Sequence, residues 1–249
     1  SEAPPKKRAA GPIESFHLMA VLRHPVAKLE AAAVTMAAVG DYRDHRLAQV
    51  SPSTVRRELA IVQHAFNIAR REWGVPVPGL KELTKPQANK ARDRRLAEGE
   101  LIALRDAMAQ CRNTLVKPVF LFALAAGMRR GEVLSLRWSC VDLESATAFL
   151  PMTKNGHSRT VPLSLAAISA LPQRLPATKD SDLVFPISAN AVRLSWERIK
   201  RRAGISNFRF HDLRHEAISR FFELGLSVPE VSLISGHKDP RMLFRYTHL

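Results

Sequence analysis

Cysteine is scarce: Cys111 and Cys140 are the only two in 249 residues. Two thiols in a chain of this size exclude a disulfide framework and point to a reducing, cytoplasmic setting with both as structural residues. Long apolar runs are missing as well. The stretch "VFLFALAAGM" at 119–128 falls well short of the roughly 18 uninterrupted apolar residues of a membrane helix, so no membrane partner is expected. The opening "SEAPPKKRAAGP" lacks the basic, apolar and small-residue order of a secretory signal and starts at Ser1 rather than Met, which is what a fragment of a longer protein would show. Acidic residues are in deficit. Asp plus Glu number 23 against 38 Lys plus Arg, a net charge of +15. Such an excess draws polyanions from solution, which makes nucleic acid the leading partner, with a basic surface kept for solubility as the alternative.

What is present is a globular, mainly helical pattern long enough for two domains, with 46% hydrophobic residues. After a Pro-rich basic tail, residues 26–73 are rich in helix formers. Within them "SPSTVRRELAIVQHAFNIARREWG" reads as one amphipathic helix, capped at Ser51 or Ser53 and started by Pro52. Leu59, Val62, Phe66 and Ala69 form its stripe, while Arg56, Arg57, Arg70 and Arg71 lie off it. These arginines are candidates for DNA phosphates or a solvated face. The text between Gly74 and Arg95 reads as an ordered linker, with the domain boundary near 88–94: a helical domain at 1–90 and a larger one at 91–249. Helices are expected in the second domain at about 97–110, 115–126, 130–137, 190–203, 211–224, 228–235 and 240–246. Residues 148–152 and 159–163 read as strands of a small antiparallel sheet, joined across Asn155-Gly156.

The chemistry gathers in this second domain. In "AAGMRRGEVLSLRW" a helix ends at Gly127 and the next starts with Arg129, a cation opposed by the helix dipole unless an anion meets it. Pairing with Glu132 is the local alternative, as Asp212 and Glu216 are for Arg214. His211 precedes Arg214 by three residues, one helical face, so one phosphate could take hydrogen bonds from both. Lys154 stands at the hairpin tip, where a flexible cation could enter a groove and donate a proton. His211, His215 and His237 could together bind a metal, but the order H-x-x-x-H-E is not the zinc-protease H-E-x-x-H, and nearby arginines would repel a divalent ion. His215 reads better as a core or supporting histidine. Tyr246, one of two tyrosines, lies beside Arg245 and His248; cations and a base are what a phenol needs to become a nucleophile at neutral pH.

The pieces "GMRRGE", "TKNG", "HDLRH", "SGHKDP" and "RYTHL", in this order, resemble the tyrosine recombinases, or phage integrases, over about residues 94–249. "NIARREWG", "RDRRL" and "FHDLRHEAISRFFELG" look similar in particular to shufflon-type DNA invertases. The resemblance implies a core-binding domain followed by a catalytic domain, acting on double-stranded DNA at specific recombination sites. Arg129 and Arg214 would grip the scissile phosphate and His211 would add a hydrogen bond and serve as base. His237 would face the phosphate, Lys154 would be the general acid, and Glu132 a supporting carboxylate. Tyr246 would form a 3′-phosphotyrosine and release a 5′ hydroxyl. No metal, ATP or other cofactor is implied. The resemblance also implies a homotetramer on DNA, with a monomer expected off DNA. Two departures stand out: Ala126 replaces the family's usual threonine, and only three residues follow Tyr246, where relatives continue into a helix that docks on a neighbour. A type IB topoisomerase and a nonenzymatic helical DNA-binding regulator are the alternative functions.

Overall fold

The computed structural model describes residues 12–89, 92–151, 158–173 and 182–247. Two compact units divide the chain, Ser1–Ala91 and Arg92–Leu249.

The first unit holds α1 (Pro12–Arg23), α2 (Met36–Leu47) and α3 (Pro52–Glu72), with two short 3-10 turns between α1 and α2. Ser51 caps α3 by accepting the Thr54 N–H at 3.3 Å, and Pro52 fixes its first residue. The α3 stripe buries Val55, Leu59 and Val62 against Val21, Val39 and Tyr42, and Leu80 and Leu83 of the following extended segment pack onto the same core. That core contains one carboxylate, Glu58, which accepts from the Tyr42 hydroxyl (2.7 Å) and from Nε and Nη2 of Arg46 (2.9 and 2.7 Å). A buried charge persists only when paired in this way. The helix α1 was not expected within the basic tail.

The second unit contains α4 (Glu100–Ala109), α5 (Val116–Ala126), α6 (Arg130–Leu134), β1 (Val141–Asp142), β2 (Thr147–Leu150), β3 (Arg159–Pro162), α7 (Leu165–Ser169), α8 (Ala189–Arg202), α9 (Asp212–Glu223) and α10 (Val228–Ser235), then a 3-10 segment, Pro240–Tyr246. The sheet is antiparallel in the order β1-β2-β3, with Ala148 opposite Val161 and Leu150 opposite Arg159. Helix α5 is apolar nearly all round and buries Val119, Phe120, Phe122 and Ala123 in the core. It ends at Gly127, whose φ of 61° is left-handed; a Cβ there would also lie 2.9 Å from the Phe221 ring, so glycine is required twice over.

Several elements differ from expectation. Helix α6 stops at Leu134, because Arg137 leaves to bridge Leu183 and the Trp138 N–H donates to the Asp182 carbonyl at 2.8 Å. β1 and α7, two and five residues long, are too short to show a period. The last segment is 3-10 rather than α, started by Asp239 and Pro240. Among the described residues, no helix is long and apolar enough to cross a membrane.

Candidate active site

Three helix ends of the second unit meet at one place: the α5–α6 turn, the start of α9, and the turn after α10. Arg214, in the first turn of α9, is only 4% exposed. It takes neither of its local carboxylates. Asp212 pairs with Arg92 at 2.8 Å, and Glu216 with Arg95 (3.1 Å) and Arg220 (2.8 Å). Arg214 instead donates through Nη1 to the Gly127 carbonyl (2.7 Å) and through Nη2 to that of Ser235 (2.6 Å). Arg92 and Arg95, in the stretch that reads as linker, therefore fasten the start of the unit to α9 and leave Arg214 to the turn.

Arg129 precedes α6 and does pair with Glu132, through Nη1 at 2.9 Å, while its backbone N–H donates to the same carboxylate at 2.9 Å and its Nη2 reaches the Gly236 carbonyl at 3.4 Å. Glu132 is shared. Arg159, at the start of β3, donates to it from Nη1 (3.0 Å) and Nη2 (2.8 Å), and from Nε to the Ile234 carbonyl (3.1 Å). Burial pushes the Glu132 carboxyl up, but the hydrogen bonds from Arg159 and Arg129 outweigh it and hold the group down at about 2. Two guanidiniums thus share one carboxylate. Burial, and then the charge of Arg129, lowers Arg214 to about 10.

Tyr246 lies at the end of the 3-10 segment, 7% exposed. Its hydroxyl is in hydrogen-bond contact with Nδ1 of His215, and the two rings stack at 5.9 Å between centroids. The Arg245 guanidinium lies 5.3 Å from the phenol ring centroid. Burial raises the phenol's pKa, opposed by the charges of Arg245 and Arg214. His215 is lowered to about 4, chiefly by burial, then by His211 and Arg245, so it is neutral at pH 7. His211 stands edge-on to it at 5.2 Å, lowered by desolvation and then by Arg214. His237, in the turn after α10, meets the Ser235 hydroxyl through Nδ1 at 2.7 Å and is lowered to about 4 by burial, then by Arg214 and Arg129. No three His, Cys, Asp or Glu side chains converge as metal ligands among the described residues.

The structure therefore brings Arg129, Glu132, His211, Arg214, His215, His237 and Tyr246 into one unit and one neighbourhood. Lys154 lies outside the described residues. Arg56, Arg57, Arg70 and Arg71 belong to the other unit and are exposed, with Arg56 donating to the Pro86 carbonyl (3.0 Å) and Arg70 to Asn67 (3.2 Å). Sequence reasoning missed Arg159; its only signal is an arginine leaving a hairpin. It also missed Gly236, whose φ of 69° and crowding against Arg159 exclude a side chain.

Residues 94–249 match the model of the phage integrase family. The chain is similar to a shufflon-specific DNA recombinase of Escherichia coli, 43% identical over 95% of this chain and 63% of the relative. A putative integrase/recombinase of Haemophilus influenzae is 36% identical over 89% of this chain and 75% of the relative. The chain thus spans just under two thirds of the first relative and three quarters of the second. Among solved structures, a lambda integrase dimer bound to a COC′ core site superposes with a TM-score of 0.79 at 17% identity, over 97% of this chain and 90% of that one. A lambda integrase tetramer bound to a Holliday junction gives 0.76 at 17% identity, over 94% and 74%. Motif order, fold and family match coincide, and the chain belongs to the phage integrase family.

Proposed function

We propose that the chain is the DNA-breaking and rejoining part of a site-specific recombinase, with Tyr246 as its nucleophile. The observation that carries this reading is a buried phenol in contact with a neutral imidazole, in the same neighbourhood as Arg129 and Arg214. Phosphoryl transfer needs positioning and neutralisation of charge on the nonbridging oxygens, and two arginines with His211 and His237 can supply that. The Tyr246 oxygen attacks phosphorus as its proton passes to His215. The bond from phosphorus to the 5′ oxygen breaks, and Lys154 supplies the proton to that oxygen. A 3′-phosphotyrosine and a 5′ hydroxyl result, and attack by a 5′ hydroxyl reverses the step without ATP. His215 takes the role of base that the family resemblance suggests for His211, because it is the histidine in contact with the phenol. The first unit, with its four exposed arginines, is proposed to contact phosphates of the same DNA. The similarity to lambda integrase supports assembly of several copies on DNA.

The test is covalent trapping on nicked duplexes built from repeats flanking the coding sequence. Wild type is expected to give a denaturation-resistant DNA adduct in excess EDTA, and Tyr246→Phe to bind the same duplex without forming one. An adduct at normal yield in Tyr246→Phe would overturn the assignment.

A further inference from the structure

A cleft of about 440 Å³ opens beside the candidate active site, lined by Arg129 and His211 of that site together with Arg130, Arg193, Arg209 and Trp196. Its one acidic residue, Glu197, pairs with Lys200 at 2.9 Å. Among the described residues, no ion pair includes Arg130, Arg193 or Arg209. Arg193 is oriented by a neutral acceptor, the Asn190 side-chain oxygen, at 3.2 Å from Nε and 2.9 Å from Nη2. The cleft therefore carries a concentrated positive charge that the described part of the chain leaves uncompensated. A second observation is independent of charge. Trp196 is 3% exposed, and its indole nitrogen is the one buried side-chain nitrogen or oxygen among the described residues without a hydrogen-bond partner. Orphaned buried donors are rare enough to need a reason. The ring is held firmly, stacked on Phe120 at 5.5 Å and edge-on to Phe210 at 5.7 Å, and it forms part of the cleft wall.

We propose that this cleft holds a second backbone phosphate of the cut DNA strand, adjacent to the one gripped by Arg129 and Arg214. The proposal rests on the recombinase reading above. Guanidinium forks suit phosphate oxygens, and a phosphate entering the cleft brings acceptors and charge up to the Trp196 wall, the only stretch of the described interior where a buried side-chain donor still lacks a partner. Because Arg129 and His211 border both sites, seating the second phosphate sets the register of the strand. The cleft thereby selects which phosphate faces Tyr246.

Nitrogen-15 NMR of the 249-residue chain reads this directly, since its three tryptophans give three indole N–H resonances and Trp196→Phe identifies one of them. Titration with a generic 20-base-pair duplex is expected to move the Trp196 resonance. Arg193→Ala/Arg209→Ala is expected to abolish that movement and, by fluorescence anisotropy, to flatten the slope of log affinity against log salt by about one, the share of one phosphate contact. A duplex that binds with the Trp196 resonance unmoved and the slope unchanged in the double variant overturns the proposal. Inorganic phosphate moving the resonance where the duplex does not also overturns it, since the site then takes a free anion. If the duplex moves the resonance but no tyrosine adduct forms in the trapping assay, the phosphate cleft stands and the recombinase reading fails.

Discussion

Replacing Glu132 with glutamine removes the one negative charge shared by the Arg129 and Arg159 guanidiniums while keeping size and shape. The carboxyl sits at about 2 in the folded protein against an ordinary 4.5. That difference, at about 1.36 kcal/mol per pKa unit, means the ionised form stabilises the fold by about 3 kcal/mol at pH 7. Glutamine keeps one acceptor oxygen but turns an NH2 group toward donors that need acceptors, so most of this is lost, in line with the 3–5 kcal/mol typical of breaking a buried pair. Urea unfolding at pH 7 followed by tryptophan fluorescence measures it. Trp138 and buried Trp196 lie in the second unit, whereas Trp73 of the first is 70% exposed and changes little. The pH dependence has a definite sign. A carboxyl with a depressed folded pKa contributes fully above its unfolded value and loses that contribution as pH falls through the folded one. The gap between wild type and Glu132→Gln should therefore shrink to less than half by pH 3. A loss under about 1 kcal/mol at pH 7, or one just as large at pH 3, refutes the shared-carboxylate account.

Gly236→Ala puts a Cβ 2.8 Å from Nη1 of Arg159 on a left-handed backbone, and should cost about 1–3 kcal/mol, seen as a melting temperature lowered by several degrees; an unchanged melting temperature would mean that the turn relaxes freely. Lys154→Ala should be severely slow on ordinary DNA but near wild type when sulfur replaces the scissile 5′ bridging oxygen, because a thiolate leaves without a proton. Equal rescue of Arg129→Ala by the same substrate would remove Lys154 from the role of acid.

Much of the site is legible because its residues stand at helix ends, where a few neighbours decide the conformation. Gly127 closing α5, Arg129 opening α6 and the His211–Arg214 spacing need only local sequence. Partner choice over distance is not legible. Asp212 and Glu216 are the obvious neighbours of Arg214, yet Asp212 goes to Arg92 and Glu216 to Arg95 as well as to its i,i+4 neighbour Arg220, and only the fold brings Arg92 and Arg95 within reach. Arg159 reaches Glu132 across 27 residues for the same reason. The pairing of β2 with β3 is legible from the Asn155-Gly156 turn signal between them, whereas α1 leaves Phe16, Met19 and Leu22 largely exposed and buries Val21, a face too weakly sorted to announce a helix.

The two carbonyls that hold Arg214 have a consequence of their own. Carboxylates in their place would grip the guanidinium as firmly, but they would cancel its charge and repel any arriving anion. The Gly127 and Ser235 oxygens are uncharged dipoles at the carboxyl ends of α5 and α10, so they fix the direction of the fork and leave its full unit of charge unspent. Orientation and neutralisation are thereby separated: the protein supplies the first, and in the proposed reaction the substrate phosphate supplies the second. A cation held this way is strained electrostatically while the site is empty, and the field that disfavours the empty site is the field that would draw in the phosphate of the proposed reaction.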